Sequence, residues 1–195
     1  MYDEVKTHKG VNYTVAVDEM PSNPRDMDNL GTIVMFHRRE SYGDIHFGAG
    51  QEQDMIDYEA SIERLTAKHK AVMLTVYAYS HGNIVFTADF NTYMRWPDHR
   101  WDAGQIGFIY AENDRIREWF GVKRVTKAMR VKAYAILRSE IEQYSNYVSG
   151  DTYMFKIEGD ENDCWYDGYT YSEVIDNAEA MIDEMLDNKT LAVVA

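Results

Sequence analysis

The sequence predicts an α+β protein with a mainly antiparallel sheet and flanking helices. Strand-like runs come in adjacent pairs joined by short turns, and helical patterns lie between the pairs instead of alternating with single strands. No internal repeat and no Gly/Ser/Pro-rich linker divides the 195 residues. We therefore predict a single compact domain over 1–195, with an acidic C-terminal hairpin and helix at 151–188.

The first third of the chain is predicted to hold two strands and one helix. The β-branched, alternating run 11–17 indicates a strand, and GTIVMF at 31–36 indicates a buried one. Prolines and Asx residues at 21–26 predict irregular structure, and 43–50 is expected to be a loop. Apolar residues at helical spacing over 51–70 predict an amphipathic helix.

The middle of the chain predicts a hairpin and a further strand. Two β-rich runs, 71–79 and 84–87, flank a turn that contains Gly and Asn. Residues 91–104 are predicted to form a long polar loop that holds two tryptophans, and 105–111 is predicted to be a strand.

Two helices are predicted next. Asn113 or Asp114 is expected to cap a short helix that Gly121 ends. A longer helix is predicted over 126–148, with Gly150 after it. Its apolar face comprises Met129, Ala133, Ile136, Leu137, Ile141, Tyr144 and Val148.

The C-terminal part is predicted to form a hairpin followed by a capped helix. Strand 151–157 and the turn 159–163 precede a second strand that begins at Cys164. Thr170 and Glu173 make a capping box for the last helix. Its apolar stripe comprises Val174, Ile175, Ala178, Met181, Ile182, Met185 and Leu186.

Charge is distributed very unevenly along the chain. The formal net charge is -13, yet 151–187 holds twelve acidic residues against one base, a net of -11. Upstream, 115–138 holds eight bases against one acid, a net of +7. Such asymmetry bears on partners and association. The acidic balance argues against a dedicated nucleic-acid coat or binding to an anionic membrane.

Composition excludes several other classes. One cysteine, Cys164, cannot form an intramolecular disulfide or a cysteine-rich zinc site, and a buried, inert thiol is the expected state. No apolar run reaches the roughly 18 residues of a membrane helix, and the first ten residues lack the apolar core of a secretory signal. We therefore expect a bacterial cytoplasmic location and no membrane partner.

No motif predicts a cofactor or a metal. Gly48-Ala49-Gly50 lacks the third glycine of a dinucleotide turn and the lysine of a phosphate loop. The acidic turn 159–163 would need glycine at Trp165 and glutamate at Tyr171 to be a calcium loop. A hairpin turn explains it better.

Three blocks of sequence resemble an uncharacterised family of small proteins carried by bacteriophages and other bacterial mobile elements. The blocks are NPRDMDNLGTIVMFHRRESYGDIH at 23–46, the run 79–111 with its core WDAGQIGFIYA, and the stretch from VKRVTKAM at 122 to DCWYDGY at 163–169. The resemblance implies a mobile-element origin and a bacterial host cell, without an assigned activity. At 79–82 this chain reads YSHG, where relatives tend to show Asp before a His-Ser-Gly turn.

The acidic C-terminal region carries the leading functional hypothesis. Carboxylates along one helix face are spaced roughly 5 to 7 Å apart, close to the spacing of phosphates on one DNA strand. With the resemblance, this favours a non-enzymatic inhibitor of a host nucleic-acid-handling defence complex, such as a CRISPR effector or a restriction enzyme. A merely solvated face is the simpler alternative. The predicted contact residues are Glu173, Asp176, Glu179, Asp183, Asp187, Asp160, Glu161 and Asp163.

Two other functions stay open. A nucleic-acid-binding accessory protein would use the basic segment, namely Arg115, Arg117, Lys123, Arg124, Lys127, Arg130 and Lys132. A small metal-dependent or acid/base enzyme would need loop residues to converge in one cleft, namely His37, His46, His81, His99, Asp44, Asp89, Asp98 and Asp102.

Aromatic residues near the acidic region offer a further criterion. If three or more are exposed, a protein interface is favoured, because Tyr and Trp are enriched in binding hot spots. The set is Tyr144, Tyr147, Tyr153, Trp165, Tyr166, Tyr169 and Tyr171.

Overall fold

The computed structural model describes residues 3–188 and Leu191, apart from the side chain of His99. Over these residues it contains six α-helices and nine β-strands in two mostly antiparallel sheets, which confirms the predicted α+β class. Residues 192–195 lie outside the described residues. None of the described helices is both long and apolar enough to cross a membrane.

Contacts divide the chain into two compact units. The terminal unit comprises Met1–Ser22 and Asn146–Ala195, and the central unit comprises Asn23–Ser145. The central unit is thus an insertion into the sequence of the terminal unit. The predicted single domain stays a prediction, because its defining property is cooperative unfolding and not the number of contact clusters.

The terminal unit is a four-stranded antiparallel sheet covered by one helix. Its strand order is β1-β2-β8-β9. The elements are β1 (Glu4–His8), β2 (Val11–Val17), β8 (Tyr153–Ile157), β9 (Tyr166–Gly168) and α6 (Tyr171–Asp187). Alternate residues of the two inner strands form the core with α6, namely Val11, Tyr13, Val15, Phe155, Ile157, Val174, Ala178 and Ile182.

One strand of this unit was not predicted, and the predicted start of another is wrong. The sequence EVKTH forms β1, which was not predicted because its charged residues follow no apolar alternation. Among the described strands it pairs with β2 alone, as an edge strand. The last strand begins at Tyr166, so Cys164 and Trp165 precede it instead of lying within it.

The central unit is a five-stranded sheet of order β4-β3-β7-β5-β6, in which only β3 and β4 are parallel among the described pairs. The strands are β3 (Thr32–Phe36), β4 (Ile45–Phe47), β5 (Ala71–His81), β6 (Asn83–Thr87) and β7 (Ala103–Glu112). Helix α1 (Glu52–Ala67) packs on one face of the sheet, where Met55 and Ile62 meet Val34, Phe108 and Tyr110.

Three further α-helices after β6 lie wholly within the central unit. They are α2 (Phe90–Arg95), α3 (His99–Asp102) and α4 (Asn113–Phe120). A fourth helix, α5 (Lys127–Ser149), runs from the central unit into the terminal unit. Gly121 ends α4 in the left-handed conformation, as predicted. Neither predicted cap of α4 forms, because the N-cap position is Glu112 and the side-chain nitrogen Nδ2 of Asn113 donates to the His69 carbonyl at 2.9 Å.

Three segments predicted to be irregular contain short regular elements. The predicted loop 43–50 contains β4, whose three residues carry too little pattern to identify a strand. The predicted polar loop 91–104 overlaps α2 and α3, since the Asp89 side chain accepts a hydrogen bond from the Thr92 amide at 2.8 Å and caps α2. Within 21–26, Asn23 caps a 3-10 turn over Pro24–Asp26.

Candidate acidic surface of the terminal unit

Nearly all of the net charge belongs to the terminal unit. Sixteen Asp and Glu against four Lys and Arg give it a formal charge of -12. The central unit, with seventeen acids against sixteen bases, carries -1. The asymmetry of the sequence is therefore also an asymmetry between two compact units.

Helix α6 is fixed at its start by the two residues of the predicted capping box, although Glu173 binds the amide of Tyr169, one residue before the N-cap Thr170. Thr170 Oγ1 accepts a hydrogen bond from the Glu173 amide at 3.1 Å, and Glu173 Oε2 accepts one from the Tyr169 amide at 3.2 Å. Val174, Ala178 and Ile182 on its apolar stripe are fully buried. The cap and the stripe set the rotation of α6, and the carboxylate of Glu173 is used in the cap.

Two acids on α6 bind side chains of the terminal sheet. His8 Nε2 and Lys9 Nζ each lie 2.8 Å from Asp183 Oδ1, and the Tyr13 hydroxyl donates to Glu179 at 3.2 Å. The register that pairs His8 with Val11 places the imidazole on the face that α6 covers. The hydrogen bond from Lys9, and then that from His8, holds the pKa of Asp183 below its usual range. The charge of Asp183 is thus partly neutralised within the unit, and the carboxylate of Glu179 is used in a hydrogen bond.

The outer side of α6 carries acids that are free of such contacts. Asp176, Glu184 and Asp187 are exposed, and no ion pair within the described chain includes them. Asp176 and Asp187 are eleven residues apart, which corresponds to about 16 Å along the helix on nearly the same side. Glu184 was not among the predicted contact residues, although its sequence position on the exposed side of the stripe would have identified it.

Acids of the β8–β9 turn have mixed roles. Asp160 is buried, and it accepts hydrogen bonds from the Tyr166 hydroxyl at 2.6 Å and the Asn162 amide at 3.1 Å. The bond from Tyr166 lowers the pKa of Asp160. Asp163 and Glu161 are both exposed; Asp163 pairs with Lys156 at 2.6 Å, whereas no ion pair among the described residues includes Glu161. The carboxylate of Asp160 is thus used within the turn, and its role as a contact residue stays a prediction.

The aromatic residues near the acidic region fall short of the stated criterion. Trp165 and Tyr171 are 39% and 38% exposed, while Tyr144 and Tyr169 are buried. The others of the set are half-buried. Because only two rings of this set are exposed and the criterion asked for three, the acidic charge, and not an aromatic patch, is the main property of this surface.

Three of the seven bases in the predicted basic segment have structural contacts in the central unit. Arg115 pairs with Asp28 and with Glu118, and it donates to the Asn29 carbonyl. Arg117 pairs with Asp114. Arg130 donates to the Ala71 carbonyl and to the Asn113 side chain, both at 3.0 Å.

The other bases of the segment are free at the surface. Lys123, Arg124, Lys127 and Lys132 are exposed, and no ion pair within the described residues includes them. Three of these bases lie at the junction of α4 and α5, so a smaller basic surface persists there.

Most of the histidines and aspartates named in the enzyme hypothesis do not contact one another in the described part of the chain. His81 Nδ1 lies 3.2 Å from Asp102 Oδ2 on an exposed site. The His37 ring accepts from the Glu40 amide at 2.9 Å, and His46 Nδ1 is buried with no hydrogen-bond partner among the described residues. Within the described chain, no ion pair or hydrogen bond joins His37 or His46 to the others, so the predicted cleft is not formed by direct contacts.

Asp44 belongs to a buried charge network that sequence reasoning missed. Arg25 binds Asp44 through two nitrogens at 2.9 and 2.7 Å, and it binds Glu140 at 3.1 Å. Glu140 also accepts from the amides of Leu30 and Gly31 at 2.7 and 3.1 Å. Burial raises the pKa of Glu140, against the opposing effect of the Arg25 charge. Glu140 lies beside Ile141 on the apolar face of α5, and a charged residue in that stripe could have identified the network.

Over the described residues, no group of three or more His, Cys, Asp or Glu side chains is arranged to hold a metal ion.

Comparisons of the chain with protein-family models, with curated proteins and with solved structures found no match.

Proposed function

We propose that the protein is a non-enzymatic binding protein whose terminal unit presents negative charge to a cationic, nucleic-acid-binding surface of a host protein. The observation that carries this proposal is the segregation of -12 of the -13 net charge into the terminal unit. A field of one sign over a compact body attracts an oppositely charged surface and raises the rate of association with it.

The exposed acids define the surface that would make contact. Asp176, Glu184 and Asp187 on α6, with Glu161 on the β8–β9 turn, are exposed and unpaired among the described residues. The remaining predicted acids contribute to the field while they stabilise the unit. The contact surface proposed is accordingly narrower than the eight residues predicted from sequence.

The resemblance to bacteriophage and mobile-element proteins directs the choice of partner. An acidic protein of such origin, acting in the host cytoplasm, would benefit its element by occupying the nucleic-acid groove of a CRISPR effector or a restriction enzyme. We propose inhibition of this kind as the biological role.

The test is an affinity capture from bacterial host lysate with and without nuclease. We expect a host protein to be retained in both samples and to be displaced by added duplex DNA. The triple variant Asp176→Lys, Glu184→Lys and Asp187→Lys should lose the partner. The matched control, Asp54→Lys, Glu63→Lys and Glu142→Lys in the central unit, makes the same charge change on exposed acids and should retain it.

Two results would contradict the proposal: unchanged capture by the α6 variant, or equal loss in both variants. Capture that nuclease abolishes would favour the second candidate, a nucleic-acid-binding role through Lys123, Arg124 and Lys127. The exposure of these bases in a nearly neutral unit supports that alternative.

A further inference from the structure

A groove of about 240 Å³ lies in the central unit between the N-terminal half of α1 and strands β3 and β7. Its deepest side chains are apolar: Met55 and Ile106 are each only 8% exposed, and Phe36 is half-buried. Glu52 and Glu59, two turns apart on α1, also line it. The groove therefore combines an apolar floor with two carboxylates.

A β-bulge in β7 forms one wall of this groove. Val76 of β5 pairs with Gly107, but Tyr77 pairs with Gln105, so Ile106 is an extra residue in β7. The bulge allows both Gln105 and Ile106 to line the groove, and Gln105 Nε2 donates to Glu59 Oε1 at 2.9 Å. Bulges are common beside binding sites because they redirect side chains.

Gly107 fixes the position of this bulge. A Cβ atom at Gly107 would lie 2.0 Å from the Val34 carbonyl oxygen, so only glycine allows β7 to pair this closely with β3. The bulge and its glycine occur within the sequence QIG of the WDAGQIGFIYA segment. The backbone of β7, through its bulge and this glycine, therefore determines the shape of this wall of the groove.

The carboxylates of the groove lack a cationic partner. No ion pair in the described part of the chain includes Glu52, Glu59 or Glu63. Burial raises the pKa of Glu59, the hydrogen bond from Gln105 opposes this shift, and the charge of Glu63 adds to it. A positive charge in the groove would stabilise the ionised form of Glu59 and relieve its repulsion with Glu63.

We propose that this groove binds an organic ammonium ion about the size of an amino-acid side chain. Its apolar part would contact Phe36, Met55 and Ile106, and its charge would lie beside Glu59 and Glu52. The volume is below the roughly 300 to 1,000 Å³ of sites for drug-sized ligands, so a fragment-sized group fits it best. The proposal concerns the central unit and is independent of the function proposed for the terminal unit.

The test is an NMR titration of the ¹⁵N-labelled full chain with phenethylammonium and with its neutral counterpart 2-phenylethanol. We expect amide shifts in the first half of α1 and at Gln105–Gly107, with at least tenfold weaker binding of the alcohol. Equal binding of the two compounds, or no shift at the groove with millimolar amine, would refute the proposal.

A third titration identifies the source of the ammonium group. N-acetyl-lysine amide presents the same charge on a peptide side chain. Binding comparable to that of phenethylammonium would assign the groove to a lysine side chain of a partner. Binding of phenethylammonium alone would assign it to a free amine. Both results support an ammonium site.

Variants on α1 separate the charge of the groove from the general charge of the helix. Glu59→Gln and Glu52→Gln each keep the side-chain shape, and we expect tenfold weaker amine binding for the first and several-fold weaker binding for the second. Asp54→Asn is the control, because Asp54 lies on the opposite side of α1 and does not line the groove. Equal weakening by Asp54→Asn would overturn the assignment.

Discussion

At the scale of single residues, Glu140 shows how one buried carboxylate holds an irregular segment in place. Its oxygens accept from Arg25 and from the amides of Leu30 and Gly31, and these groups lie on the chain between Ser22 and β3. Buried backbone amides need such partners, because an unpaired buried donor costs about 1 to 3 kcal/mol. Glu140 thus replaces the hydrogen bonds that a helix or sheet would supply to these amides.

Replacing Glu140 by Ala should lower the free energy of unfolding by about 3 to 5 kcal/mol, the usual cost of removing one partner from a buried ion pair. Arg25 would keep Asp44 and the Gly31 carbonyl but lose one of its two carboxylate partners, and the Leu30 amide would lose its acceptor. Urea unfolding followed by circular dichroism measures the change. The neighbouring exposed variant Glu142→Ala should change it by less than about 0.5 kcal/mol. A similarly small effect at Glu140 would contradict the role assigned to it.

At the scale of elements, the contact between α6 and β1 depends on charge. Asp183 on α6 pairs with His8 at the end of β1 and with Lys9 beside it. The apolar stripe would hold α6 on the sheet without these pairs, but the pairs favour the observed rotation of its acidic side. The charge of Asp183 therefore helps to place α6 on the sheet.

This contact should weaken in acid. Because the pKa of Asp183 is lower in the folded protein than its ordinary value of 3.8, the unfolded chain binds more protons in this range. The contribution of Asp183 is therefore present above about pH 4 and is lost as the pH falls through the lowered pKa. Urea unfolding between pH 7 and pH 3 should show a smaller acid-induced loss of stability for Asp183→Asn than for the unchanged protein. Parallel pH profiles for the two proteins would refute this.

Elements with a strong local pattern could be predicted from the sequence, and those set by distant contacts could not. The capping box and apolar stripe of α6 lie within seventeen consecutive residues, so pattern alone located this helix. Strand β4 exists because three residues pair with β3, and the bulge at Ile106 exists because β7 must match both β3 and β5. Among the predicted contact residues, the sequence does not distinguish exposed Asp176 from buried Asp160. The difference arises because the fold places the Tyr166 hydroxyl against Asp160.

At the scale of the whole molecule, the two units differ in net charge, and the chain passes between them twice. The terminal unit carries -12 and the central unit -1, and the chain passes from one to the other at Ser22 and again at Ser145. Helix α5 has residues in both units, since it runs from Lys127 to Ser149. A helix shared in this way couples the unfolding of one unit to the loss of hydrogen bonds in the other.

We therefore expect both units to unfold in one transition, as predicted for a single domain. Trp165 is in the terminal unit, whereas Trp96, Trp101 and Trp119 are in the central unit. A variant with these three replaced by Phe would report the terminal unit by fluorescence, while circular dichroism reports the whole chain. Coincident urea midpoints are expected. Midpoints that differ clearly would show that the units unfold separately.

The strand order of the terminal sheet also fixes the sequence of events during synthesis. Strand β2 pairs with β8, so Val17 cannot pair until its partner Tyr153 has been synthesised. Tyr153 leaves the ribosome only after the whole central unit has been made. The central unit can pair all its strands by Glu112, before any of the twelve acids of 151–187 has been translated. The charged part of the protein is thus completed last, on a chain whose nearly neutral part has already had time to fold.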